Sequence, residues 1–271
     1  MHKTLILDSG AFSTWSRGLE ICIEDYIAFI FANADHVDYY VNLDVIPGKF
    51  GRVPTAAEVE ASAQASWDNM LFMEACGLHP MPVFHMGENF RWLRKIKAHN
   101  EKYICISPAN DRPTAQKRVW LDRVFSELAD SDGTPCVKTH ALGVTSVPLL
   151  IRYPWHSADS SAWTTATARG VIFVPRLKPD GSHDYGQSPF VVYMSGVKAL
   201  QPDERDYRSL NAALKAHVES YIAAAGTTIK EAKDSCVERA RICAYFFKMF
   251  EKQGPRCTAF KPHKTSFFGS N

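Results

Sequence analysis

Two aspartates, Asp8 and Asp159, are the residues of this chain best placed to do chemistry. Asp8 follows a short apolar run that predicts a β-strand, and the small residues Ser9 and Gly10 after it allow a tight turn and the close approach of a ligand. Phe12 can then lie flat against a planar group. Asp159 has a similar setting, between two tryptophans. Two carboxylates at strand ends with aromatic neighbours suit substitution at a glycosidic carbon.

Three further candidates also follow predicted strands. Asp44 lies among apolar neighbours, and a buried carboxylate is costly unless a donor pairs with it. That donor is either the N–H groups of a ligand or a neighbouring arginine. His85 suits a structural hydrogen bond and a ligand contact equally well. Gly143 suits either a plain strand-to-helix turn or a backbone contact to a ligand.

Short β-rich runs recur along the chain and predict the elements that must position these residues. Most of them are separated by helix-like segments, which predicts parallel strands joined by crossovers and a (β/α)8 barrel. An open doubly wound sheet is the alternative, and the absence of a glycine-rich dinucleotide motif weakens it. Catalytic groups of a barrel lie at the carboxyl ends of its strands. The predicted strands are 5–8, 39–44, 81–85, 103–107, 137–143, 156–159, 171–175 and 190–194.

Capping boxes and apolar spacing predict where the helices lie and how the chain divides into domains. Thr55 and Glu58 form a capping box that predicts a helix to about residue 75, and 113–129 carries an apolar stripe. A second capping box, at Thr228, precedes apolar residues at helical spacing. We therefore predict a barrel domain over residues 1–200 and a helical section with a basic tail over 201–271.

Composition excludes few classes of protein. The net charge is only +2, so bulk charge does not indicate a polyanionic partner. The tail 252–271 carries four cations and no acid, interleaved with phenylalanines. It suits either nucleic acid or a solvated segment docked by its aromatic rings. We expect no signal peptide and no membrane-spanning segment.

The seven cysteines are scattered and odd in number, which predicts reduced thiols in a cytoplasmic protein rather than a disulfide framework. A zinc site is disfavoured, since two of its four nearest candidate ligands fall on an apolar helical stripe where cysteine packs as a small hydrophobe. We expect no metal and no cofactor. The four candidate ligands are Cys236, Cys243, Cys257 and His263.

The residues around Asp8 resemble a known motif. Residues 7–12 resemble the D-S-G-G-[FY] motif of tRNA-guanine transglycosylases, and 158–160 match the position of that family's F-D-C. Three other family motifs have counterparts in the same order, at 83–87, 104–108 and 142–144. The sequence is most similar to the DpdA branch, phage and bacterial proteins that place 7-deazaguanines in DNA. The resemblance covers roughly residues 5–163.

The resemblance implies a base-exchange glycosyltransferase. Asp159 would attack C1′ of the target nucleotide and displace guanine, leaving a covalent sugar–enzyme ester, and Asp8 would be the general acid/base. Phe12 would stack on the base and Leu142 would cover its other face. Asp44 would accept hydrogen bonds from the guanine N1–H and amino group. The opposite edge of the base would meet His85 and the backbone near Ser107 and Gly143.

Two departures from the family favour DNA over tRNA as the polymer. The family's C-x-C-x-x-C zinc pattern is absent, and so is the arginine-containing stretch after the nucleophile. The predicted activity is exchange of guanine in DNA for a base such as 7-cyano-7-deazaguanine, in the cytoplasm (the host's, if the protein is phage-encoded). The alternatives are a tRNA transglycosylase, a non-catalytic nucleic-acid-binding relative and a hydrolytic N-glycosidase.

Overall fold

A computed structural model describes residues 4–99, 102–109, 111–195 and 204–262. The chain divides into two compact units, which are described separately below. The first unit comprises residues 1–142, 155–157 and 259–271, and the second comprises 143–154 and 158–258. The predicted domain boundary near residue 200 falls on 196–203, outside the described residues, and stays a prediction.

Parallel strands with helical crossovers make up the first unit. Strand β1 pairs in parallel with β2, and β3, β4 and β5 pair in parallel in chain order. A parallel bridge between Val41 and Met81 continues the order from β2 to β3. The elements are β1 (Ile6–Leu7), α1 (Ala11–Trp15), α2 (Ile23–Ala32), β2 (Tyr39–Tyr40), α3 (Ala56–Ala75), β3 (Val83–His85), α4 (Phe90–Ala98), β4 (Tyr103–Ser107), α5 (Thr114–Leu128) and β5 (Lys138–Ala141), with β6 (Ser157–Ala158) starting in this unit.

Local sequence signals account for the helices of this unit. The Thr55 hydroxyl accepts from the Glu58 N–H, and the Glu58 carboxylate accepts from the Thr55 N–H at 2.8 Å, so the predicted capping box opens α3. The predicted apolar stripe of α5 is fully buried. Its members are Leu121, Val124, Phe125 and Leu128.

The second unit is helical apart from two small sheets. Its core joins β7 and β10 to α8, α9 and α10 through five fully buried residues, Ile172, Val192, Val218, Ala232 and Ile242. Its elements are α6 (Val147–Leu150), α7 (Ala162–Ala168), β7 (Val171–Val174), β8 (Arg176–Leu177), β9 (His183–Asp184), β10 (Phe190–Tyr193), β11 (Glu204–Asp206), a 3-10 helix (Tyr207–Ser209), α8 (Ala212–Ala224), α9 (Ile229–Asp234) and α10 (Cys236–Gln253).

The expectation that all strands run parallel is wrong for the second unit. Strand β10 pairs antiparallel with β7, and β8 and β9 form an antiparallel hairpin. The connection from β7 to β10 contains this hairpin instead of a helix, so the chain reverses direction without a crossover. The tight turn is closed by the Lys178 N–H bonding the Ser182 carbonyl, and Gly181 adopts φ +80° there.

Strands occur at all eight predicted places, so the α/β class with a parallel sheet is confirmed. Closure of the strands into an eight-stranded barrel stays a prediction. The helix predicted after Thr228 is broken in two, because Ser235 is extended and its hydroxyl accepts the Glu238 N–H to open α10. Within the described residues, no helix is long and apolar enough to cross a membrane.

Candidate active site

The carboxyl ends of the first unit's parallel strands carry most of the predicted site residues. Residue pairing places His85 directly opposite Ser107, and the next strand continues the edge because the Leu142 N–H donates to the Ile106 carbonyl at 3.0 Å. Successive strands β1 to β5 therefore present their ends along one line. The predicted residues on this line are Asp8, Asp44, His85, Ser107 and Leu142.

A hydrogen-bonded chain of four side chains lies in the middle of this line. Asp44 Oδ1 accepts from the Ser9 hydroxyl at 3.2 Å, and Asp44 Oδ2 lies 2.8 Å from His85 Nε2. The other ring nitrogen, Nδ1, lies 2.9 Å from Glu88 Oε1. The side chains of Asp44 and His85 are each 9% exposed, and that of Glu88 is 3% exposed. The donors to Asp44 are thus a histidine and a serine, and the arginine weighed from the sequence is not its partner.

Two carboxylates on one imidazole set the charge of this network. Burial by itself lowers the pKa of His85, because it disfavours the charged ring. The hydrogen bonds and charges of Asp44 and Glu88 outweigh burial and raise the pKa of His85 to about 10. Both carboxylates therefore favour the protonated form of the ring.

The turn after β1 places Ser9 beside Asp44. Gly10 adopts φ +77°, a left-handed conformation that favours glycine, and α1 begins directly after it. The Ser9 hydroxyl oxygen accepts from the Ala11 N–H at 3.3 Å, which holds the side chain toward Asp44. The small residues after Asp8 thus orient a serine toward Asp44.

Asp8 itself is exposed and lies close to the same network. Burial, followed by the charges of Asp8 and Asp44, raises the pKa of Tyr26. The Tyr26 hydroxyl donates to the Val41 carbonyl at 2.7 Å. Both carboxylates therefore act on one buried phenol, which places Asp8 and Asp44 on the same side of the unit.

A cluster of three aromatic rings includes Phe12, which lies in the helix that follows Asp8. Phe12 is 50% exposed and Phe50 is 62% exposed, with Trp15 between them at centroid distances of 5.8 and 5.4 Å. The Trp15 indole N–H donates to the Gly48 carbonyl at 2.9 Å, which fixes the middle ring. The segments that carry these rings, 9–18 and 45–54, contain three cations and no acid. This aromatic cluster suits stacking on bases of a polyanion.

Asp159 and Gly143, both predicted site residues, belong to the second unit. Asp159 is exposed, and its Oδ1 accepts from the Gly143 N–H at 2.9 Å. Gly143 adopts φ +68° in the turn after β5. Gly143 therefore makes a strand-to-helix turn and also orients a carboxylate through its backbone.

Of the four candidate zinc ligands, the three cysteines fall within the described residues. Cys243 is buried in α10, where burial raises the pKa of its thiol to about 12. Cys236 was expected on the apolar stripe but is exposed at the first turn of α10. His263 lies outside the described residues. No group of three or more metal-ligating side chains occurs among the residues that the structure describes.

Residues 263–271 of the basic tail, which include Lys264, Phe267 and Phe268, lie beyond the described residues. Phe260 is described, and it is buried against Phe125 in the first unit with its N–H donating to the Gly133 carbonyl at 2.7 Å. This part of the tail is docked by its aromatic ring.

Sequence reasoning missed two members of the network, Ser9 as a partner of Asp44 and Glu88 as a partner of His85. The His85-x-x-Glu88 spacing directly after a strand was the available signal. No protein-family model matches the chain, and a comparison with curated proteins found no significant match. The resemblance to transglycosylases therefore rests on the motifs alone.

Proposed function

We propose that the protein exchanges guanine in DNA for a 7-deazaguanine base through a covalent aspartyl–sugar intermediate. The observation that carries the proposal is the line of strand ends in the first unit, where Asp8, Asp44 and His85 lie together. Asp44 has one donor on each oxygen, and each oxygen retains a lone pair for a ligand N–H. A guanine-type edge, with adjacent N–H and amino donors, matches such an acceptor.

The proposed reaction is two displacements at one carbon. The Asp159 carboxylate attacks C1′, the C1′–N9 bond breaks, and Asp8 gives its proton to the departing guanine. The incoming 7-deazaguanine then loses its N9 proton to Asp8 and attacks C1′, which releases the Asp159 carboxylate. Two inversions give net retention, as in retaining glycosidases. Exposure of both aspartates supports this assignment, since each must reach a polymer.

The same proposal includes a (β/α)8 barrel, DNA as the polymer and the cytoplasm as the compartment. The consecutive parallel order of β1 to β5 supports the barrel. The half-exposed Phe12 supports stacking on a base that is flipped or single-stranded. The seven cysteines, all within the described residues, form no disulfide, as is usual in a reducing compartment.

Base exchange with purified protein tests the proposal. Single-stranded DNA, duplex DNA and tRNA are each incubated with 7-cyano-7-deazaguanine, and the digested nucleosides are analysed by mass spectrometry. We expect the modified nucleoside in DNA and not in tRNA. Incorporation only into tRNA would reassign the polymer, and DNA binding with no incorporation would indicate a non-catalytic relative. Abasic sites without a new base would indicate a hydrolase.

Matched variants assign the roles. Asp159→Asn should abolish both exchange and the covalent protein–DNA adduct, whereas Asp8→Asn should slow exchange while retaining DNA binding. The exposed Asp35, in the loop after α2, provides the control, and Asp35→Asn should exchange at the normal rate. Normal exchange by Asp159→Asn would refute the mechanism.

A further inference from the structure

We propose that Glu88 is a positioning residue that keeps His85 doubly protonated, so that the Nε2–H of His85 always donates to Asp44 and holds it as a hydrogen-bond acceptor facing the base site. The role at a base site rests on the proposed function. The protonation of His85 stands independently of that function and is measured separately below.

The inference is supported by the number of N–H donors that the His85 ring needs for its two acceptors. Ionised carboxylates only accept hydrogen bonds, and His85 meets one on each nitrogen, at 2.8 and 2.9 Å. A neutral imidazole has a single N–H, so one of these short contacts would bring two acceptors together. Only the imidazolium donates to both partners. With both carboxylates ionised, the two distances require the charged ring.

The charged groups around His85 also favour a protonated ring. Asp44 and Glu88 come from different strand ends and face the ring from opposite sides, and Asp8 and Tyr26 are the other titratable groups near Asp44. Among the described residues, no lysine or arginine contacts Asp44 or Glu88. A neutral His85 would leave two buried carboxylates without a counter-charge, which is strongly unfavourable.

Glu88 can act on the base only through His85. Its carboxylate is almost fully buried behind the ring, whereas Asp44 stands at the line of strand ends. With Glu88 ionised, the Nε2–H of His85 always points at Asp44. Recognition of a donor edge by Asp44 is then independent of pH through the neutral range, although a histidine lies in the network.

Replacing Glu88 by glutamine removes the negative charge of this side chain and keeps its size and shape. The glutamine amide can present its NH2 group to an unprotonated Nδ1, so a neutral ring with its proton on Nε2 becomes acceptable. The pKa of His85 should then fall toward the ordinary histidine value of about 6.5. At pH 8.5 a histidine with that pKa is charged in only about 1% of molecules.

The spectroscopic test uses 15N-labelled histidine in the full chain, with the His85 signals assigned from a His85→Gln spectrum. We expect both ring nitrogens of His85 to carry protons from pH 6 to pH 8.5 in the wild type. Glu88→Gln should shift the titration of His85 down into the neutral range. Glu74→Gln is the control, because Glu74 pairs with His99 in the same unit but at the surface. A neutral His85 in the wild type at pH 7.5 would overturn the proposal, even if Glu88→Gln does not fold.

The functional test measures binding of 7-cyano-7-deazaguanine by calorimetry at pH 6 and pH 8.5. Wild type and Glu74→Gln should bind equally at both values, whereas Glu88→Gln should bind more weakly at pH 8.5 than at pH 6, because its neutral ring donates a weaker hydrogen bond to Asp44 than the imidazolium does. Equal binding by Glu88→Gln at both pH values would remove Glu88 from base recognition. A doubly protonated His85 in a protein that binds no such base would instead refute the proposed function and leave the protonation assignment intact.

Discussion

The charged His85 makes the free energy of unfolding depend on pH in the alkaline range. The His85→Gln substitution should remove this dependence. The folded-state pKa of His85 is raised to about 10, whereas an unfolded histidine titrates near 6.5. Between these values the native state binds one more proton than the unfolded state. The stabilisation is therefore complete below about pH 6.5 and is lost as pH rises through about 10.

The size of this loss of stability follows from the pH interval between the unfolded and the folded pKa of His85. One extra bound proton lowers the free energy of unfolding by about 1.4 kcal/mol per pH unit. From pH 7 to pH 9.5 the loss is about 3 kcal/mol, an upper value because the ring is coupled to two acids. Cysteines, tyrosines and lysines also titrate in this range, but they are common to the wild type and a His85→Gln variant. The difference between the two proteins isolates His85.

Urea unfolding at half-unit pH intervals, followed by tryptophan fluorescence, measures this difference. The wild type should be the more stable protein at pH 7, and its advantage over His85→Gln should shrink by about 3 kcal/mol at pH 9.5. His99→Gln, at an exposed histidine paired with Glu74, should give a curve parallel to the wild type. If the His85→Gln and wild-type curves are parallel, the ring is not charged in the folded state and the reasoning fails.

Three other substitutions have defined outcomes. Arg239 is buried and donates to the carbonyls of Thr167, Ala232 and Lys233, so Arg239→Met should lower the free energy of unfolding by about 3–5 kcal/mol in a urea titration. Arg241→Met, at an exposed ion pair, should change it by less than about 0.5 kcal/mol, and equal effects would contradict the assignment. Phe50→Ala should weaken binding of an oligo-dT strand by about 1–3 kcal/mol in a fluorescence titration, whereas the exposed Phe29→Ala should not. Gly133 adopts φ +86° and an added Cβ would lie 2.2 Å from the Phe260 carbonyl oxygen, so Gly133→Ala should lower the melting temperature by several degrees, and an unchanged value would contradict this packing.

The sequence predicted the places of strands and helices well because the periodicity of apolar residues is local. It also placed Asp44 and His85 at one edge, since the ends of parallel strands meet. It did not identify what pairs with Asp44, because a serine in the turn after β1 and a histidine at the end of β3 become partners of Asp44 only through the order of the strands in the sheet. The sequence Pro179-Asp180-Gly181 is typical of a tight turn and could have predicted the β8–β9 hairpin. The hairpin was missed because a helical crossover was expected at that place.

Phe260 bears on the order in which the protein can be made. The first unit contains residues 155–157 and, after residues 158–258 of the second unit, takes up the chain again at 259, where Phe260 packs on Phe125. A ribosome must therefore synthesise the entire second unit before the first can complete its packing. Phe125 gains its contact with Phe260 only after residue 260 has been synthesised, so translation of that residue, rather than of residue 142, is required before the first unit can complete its packing.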